Sequence, residues 1–125
     1  MYVDLYAKTQ DLLYTQRILS VVGDITEEAA EIFLSAFCTL TINEEREKPI
    51  KIIIDSQGGE LSQALAIHDL MISSVTPVHT YGLGSVASAA TLLLAAGTKG
   101  QRYLYENTEV MIHQLSVTAN SSEKA

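Results

Sequence analysis

The run IKIIID, residues 50–55, constrains this chain more than any other feature. Its isoleucines, Ile50, Ile52, Ile53 and Ile54, show no helical period, and a nearly continuous β-branched run is the pattern of a strand covered on both faces. Strands of that kind belong to parallel sheets, which need a crossover helix between neighbours. The flanking sequence supplies the crossovers. RILSVVG (17–23) reads as a strand that ends at a glycine, and DITEEAAEIFLSAFCTLTIN reads as the helix after it. Thr26 is its N-cap, Glu27 and Glu28 occupy the first turn, and Ile32, Phe33, Leu34, Ala36 and Phe37 form its apolar side.

After SQGGE, the stretch LSQALAIHDLMISS (61–74) predicts a second helix, with Leu61, Ala64, Leu65 and either His68 or Met71 facing inward. Pro77 opens the short strand VHTYGLG. VASAATLLLAAG then predicts a third helix, with Gly97 in the stop position just past its end. RYLYENTEVMIHQ contains two short strand-like pieces around a turn at Glu106–Asn107. Strands alternating with helices at this spacing give an α/β fold with mostly parallel strands in a single domain. A doubly wound sheet and a spiral of ββα units both satisfy the local pattern.

Charge and composition exclude several classes of function. The formal charge of −7, from 15 acidic and 8 basic residues, argues against nucleic acid as the main partner, because phosphate binding needs clustered Lys and Arg. The longest apolar-rich run, VASAATLLLAAG, is too short to span a bilayer, so no membrane association is expected, and the first twenty residues lack a secretory pattern. Cytoplasm or an organelle matrix is the expected location. The single cysteine, Cys38, fits a reducing compartment, and its SAFCTL setting predicts a buried structural thiol. His68, His79 and His113 are scattered, with no second ligand at metal-binding spacing, so no metal is expected.

Three short stretches carry chemistry-bearing residues. In DSQGGEL, a Gly-Gly pair follows the buried strand; such a pair serves either as a tight turn or as a source of free N–H groups for an oxyanion. In GLGSVASAA (82–90), small residues surround Ser85 and Ser88 near the predicted third helix. Ser85 is the better cap candidate, which leaves Ser88 for close helix packing or for chemistry. In MIHQ, His113 ends an apolar run, where a histidine is either a hydrogen-bonded core residue or a general base.

Taken together, IIIDSQGGE, GLGSVASAATLLLAAGTKG and NTEVMIHQ, in this order and separation from about Asp11 to Gln114, resemble the proteolytic subunits of the Clp protease (ClpP), within the crotonase-like superfamily. The resemblance implies a crotonase-like spiral of ββα units and a serine endopeptidase that hydrolyses unfolded proteins inside an oligomeric chamber. It implies Ser88 as nucleophile, His113 as general base, and the backbone N–H groups of Gly59 and Ala89 as the oxyanion hole. It also implies homo-oligomerisation through heptameric rings, and an AAA+ unfoldase partner that uses ATP. The chain itself would need no cofactor. Residues 1–10 would form an N-terminal segment near the axial pore, 11–116 the α/β domain, and 117–125 a polar, mobile tail.

The chain departs from the family pattern at Gln57 and Glu60, where Pro and Ser are usual, at Ala89-Ala90 in place of Met-Gly, and at Leu115 in place of Pro. The family's orienting Asp and handle helix lie beyond the His-Gln motif, so a sequence ending at Ala125 is expected to be truncated before that helix. The alternatives are a truncated, catalytically impaired ClpP-like subunit and a crotonase-type acyl-CoA enzyme. The latter would need a carboxylate in the cleft, for which Glu60 is the candidate.

Overall fold

The computed structural model describes residues 2–112. Helix α1 (Tyr2–Thr15) leads into strand β1 (Ile18–Val22), followed by helix α2 (Glu27–Ile42), strand β2 (Ile50–Ser56) and helix α3 (Leu61–Ser73). Strand β3 (Val78–Ala87), the short helix α4 (Ala90–Ala95), and strands β4 (Arg102–Leu104) and β5 (Glu109–Met111) complete the described chain. The strands form one parallel sheet in the order β1-β2-β3-β4, with β5 pairing the far end of β3 beyond β4.

The α/β reading from the isoleucine run holds, but the sheet is covered unevenly. Ile50, Ile52 and Ile54 are fully buried against α2, α3 and α4, together with Leu19, Val21, Val78 and Val86. The alternate residues differ: Lys51 is exposed, and Ile53 and Asp55 are half-buried. Helices α2 to α4 all pack on one face, which is not a doubly wound arrangement. On the other face Ile53, Tyr81 and Tyr103 lie in register, and the two tyrosine rings stack with centroids 5.0 Å apart. Partial desolvation there, with Tyr103 and Tyr105 close by, pushes the Tyr81 phenol above its ordinary range.

The helix signals explain most of the layer. Thr26 caps α2 by accepting from the Ala29 N–H at 3.1 Å, and Phe33 stacks on Phe37 beneath it. In α3 the buried stripe is Ala64, Ile67 and Met71; Leu65 is turned partly outward, 40% exposed. One expectation is corrected. Cys38 is exposed, because the buried stripe of α2 runs through Ala30, Phe33, Phe37 and Leu40, and Cys38 lies off it. Helix α1 forms where the sequence reading assigned no element, with Tyr14 packed against the core.

Arg17 is the charged residue most deeply committed to this fold. It is 4% exposed, and its guanidinium donates to the carbonyl oxygens of Leu40 and Lys48 and to Asn43 Oδ1. It therefore satisfies the carboxyl end of α2 and fastens the loop that enters β2. Hydrogen bonds to a charged group contribute more than neutral ones, and cutting this set strands the buried Leu40 carbonyl and the part-buried Lys48 carbonyl. Arg17→Met is expected to destabilise the chain by about 3 kcal/mol, read as a lower urea midpoint with an unchanged slope.

Candidate active site

The site is built where β2 and β3 end side by side. β2 stops at Ser56, and the chain turns through Gln57, Gly58 and Gly59 into α3. Ser56 Oγ accepts from the Gly58 N–H at 3.0 Å, a local hydrogen bond that closes the turn. The loop between β1 and α2 clamps the turn from outside. Ile25 donates to the Gly58 carbonyl at 3.0 Å and accepts from the Glu60 N–H at 2.9 Å, forming a single parallel bridge to Gly59. No sequence pattern announced this clamp, although Ile25, a lone apolar residue before a helix cap, is 1% exposed.

Close approach requires the second glycine, and backbone conformation the first. A β-carbon on Gly59 would lie 2.4 Å from the Ile25 carbonyl oxygen and 2.6 Å from its nitrogen. Gly58 has φ +105, and a β-carbon there would sit 3.1 Å from Ser88 Cβ and 3.2 Å from the Ala89 nitrogen. The Gly-Gly turn and the Ser88–Ala89 turn are thus in contact.

Ser88 stands at the junction of β3 and α4, half-buried, with φ 54. A left-handed conformation is uncommon for a residue with a side chain, and strained strand-to-helix turns are one way hydrolase folds present a nucleophile. The Ser88 N–H donates to the Met111 carbonyl at 3.0 Å, and its carbonyl accepts from the N–H and the hydroxyl of Thr91. The third helix is therefore shorter than the sequence implied. Residues 86 and 87 belong to β3, which continues to pair with β5, and Ser85 is a strand residue, not a helix cap. Among the described residues, neither the Gly59 N–H nor the Ala89 N–H has an acceptor.

Of the residues singled out from sequence, Gly59, Ser88 and Ala89 lie on the two contacting turns. His113 lies outside the described residues; it follows Met111, the hydrogen-bond partner of Ser88, by two positions in the sequence. The two nearby carboxylates have structural partners. Asp55 Oδ1 accepts from the Ser85 N–H at 3.1 Å, and Glu60 Oε2 accepts from the Glu27 N–H at 3.2 Å. Glu60 thus reaches toward the amino end of α2, where free N–H groups favour negative charge. Among the described residues no three His, Cys, Asp or Glu side chains cluster to hold a metal, and no helix is long and apolar enough to cross a membrane.

A family model described as Clp protease matches residues 4–124. The chain is 40% identical over 111 residues to an ATP-dependent Clp protease proteolytic subunit of Bdellovibrio bacteriovorus, an alignment spanning 89% of this chain and 50% of that protein. It is 39% identical over 103 residues to the chloroplastic ATP-dependent Clp protease proteolytic subunit 4 of Arabidopsis thaliana, covering 82% and 35% respectively. Among solved structures, the ClpP protease catalytic domain of Plasmodium falciparum superposes with a TM-score of 0.78 at 33% identity, covering 84% of this chain and 59% of that one. The chain spans about half the length of the curated relatives it matches, as the 50% coverage of the Bdellovibrio protein illustrates.

Proposed function

The chain belongs to the Clp protease family, and from that premise we propose that it is a serine endopeptidase subunit acting on unfolded polypeptide through Ser88. One observation carries the reading: Ser88 is held in a left-handed turn that packs on a Gly-Gly turn, beside two N–H groups with no acceptor among the described residues. In this reaction His113 removes the proton from Ser88 Oγ as that oxygen attacks the scissile carbonyl carbon. The negative charge that develops on the carbonyl oxygen is accepted by the N–H groups of Gly59 and Ala89. The C–N bond breaks, the amine leaves with the proton from His113, and a water molecule activated by the same base hydrolyses the acyl-enzyme.

Ala87, Ala89 and Ala90, 7%, 1% and 0% exposed, turn into the core, so their small side chains pack the nucleophile turn against the sheet. Glu60, the carboxylate that acyl-CoA chemistry would recruit beside the turn, is instead bonded to the Glu27 N–H. Ring assembly through copies of this chain, delivery of substrate by an AAA+ unfoldase that spends ATP, placement of residues 1–10 near an axial pore, and a cytoplasmic or organelle-matrix location belong to the same proposal. Their support is the family alone.

Hydrolysis of a fluorogenic short peptide tests the chemistry without the unfoldase. Turnover that stops on treatment with a fluorophosphonate is the expected result. Turnover that survives treatment while every copy of Ser88 is modified would end the proposal.

A further inference from the structure

We propose that Asp55 is a positioning residue that sets the register between the nucleophile turn and the oxyanion turn, an inference that rests on the reading of Ser88 as nucleophile. β2 and β3 pair regularly from Ile50↔Val78 to Ile54↔Gly82, and the next pair is Ser56↔Val86. A single residue of β2, Asp55, therefore faces three of β3: Leu83, Gly84 and Ser85. A bulge of this kind re-aims the strand that carries it. Here it decides which residue of β3 arrives beside Gly58. With Ser56 opposite Val86, two further steps along each chain bring Gly58 against Ser88, where the two turns touch. Regular pairing would have brought Val86 to that level instead.

The Asp55 side chain holds the bulge in place. Its Oδ1 accepts from the Ser85 N–H at 3.1 Å, supplying the acceptor that the interrupted ladder withholds. Gly84, with φ +70, wraps around the carboxylate so closely that a β-carbon would lie 2.6 Å from Oδ1. The main chain of Asp55 is fixed from the other edge, where its carbonyl accepts from the Gly23 N–H at 3.0 Å. The carboxylate thus spans from the clamped strand to the bulge that delivers Ser88. Among the described residues its side chain bonds only to β3, through the Ser85 N–H, so it acts through that strand.

The test uses the full chain, with Asp55→Ala removing the acceptor and Asp55→Asn keeping an oxygen in its place. Misplacing a reacting group by about 1 Å costs on the order of 100-fold. Asp55→Ala is therefore expected to lower kcat for the fluorogenic peptide by about 100-fold with KM changed less than about threefold, and Asp55→Asn to restore kcat to within about threefold. A readout independent of activity accompanies it. A nuclear Overhauser effect between Gly58 and Ser88 protons is expected in the parent chain, where the two turns touch, and should vanish in Asp55→Ala and persist in Asp55→Asn. Should Asp55→Ala not fold, Gly84→Ala displaces the carboxylate from the opposite side and is expected to lower kcat and abolish the Overhauser effect alike.

An Overhauser effect between Gly58 and Ser88 that persists in Asp55→Ala overturns the proposal. So does an unchanged kcat in a variant whose two turns have moved apart. If the parent chain hydrolyses no peptide, the reading of Ser88 fails, and the Overhauser measurement still decides whether Asp55 sets the register.

Discussion

Replacing Ser88 with alanine is expected to reduce peptide hydrolysis by about 10⁴-fold or more, down to the background reaction. The loss should appear in kcat, because the oxyanion donors are main-chain groups that the substitution leaves in place. Alanine keeps the β-carbon that packs near Gly58, so stability should change by less than about 0.5 kcal/mol. Ser88→Gly separates chemistry from strain. At φ 54 a side chain carries a conformational cost that glycine lacks, so Ser88→Gly is expected to stabilise the chain by about 1 kcal/mol while remaining as inactive as the alanine variant. An unfolding curve and a rate measured on the same two preparations check both halves. Stabilisation with loss of activity is what a strained nucleophile turn requires; a packing serine would lose stability and keep turnover.

The second large effect is at Gly59. Alanine there must place its β-carbon where the Ile25 main chain already stands, 2.4 Å from the oxygen and 2.6 Å from the nitrogen. Those atoms belong to a backbone bridge, not to a flexible side-chain end, so the relief has to come from parting the turn from the β1–α2 loop. Overpacking of this kind costs about 1–3 kcal/mol. The same movement carries the Gly59 N–H away from its place, and removing one oxyanion donor costs roughly 10²–10³ in rate. Gly59→Ala is therefore expected to lose about 2 kcal/mol of stability and at least about 100-fold in kcat. Steady-state kinetics below the new melting temperature distinguish the two losses, because a purely structural defect would leave the folded fraction fully active.

The fold was legible wherever local chemistry and tertiary packing agreed. The isoleucine run of β2, the Thr26 cap of α2 and the turn between β4 and β5 each follow from a short stretch of residues. What escaped was decided by pairing at a distance. VASAATLLLAAG has helical composition throughout, yet its first residues are held extended by the register with Ser56 and by β5, so α4 starts only at Ala90. Cys38 was placed inside by its apolar neighbours, although the helix phase set by Phe33, Phe37 and Leu40 turns it outward.

The candidate site divides along the same line. Ser88 and the Gly-Gly pair were readable as residue types in a spacing. Their packing on one another, the Ile25 clamp and the Asp55 bond to the bulge are products of strand register, to which a linear pattern is blind. Glu60, a candidate cleft carboxylate by its place after the Gly-Gly pair, is likewise drawn to the amino end of α2, a partner 33 residues away in the chain.

The most direct measurement is to treat the full chain with a fluorophosphonate, digest it, and locate the adduct by mass spectrometry. A single adduct on Ser88, absent when the chain is unfolded before treatment, is the expected result. An adduct on Ser85 or another hydroxyl, or none at Ser88 in the folded chain, would contradict the assignment of Ser88 as the nucleophile.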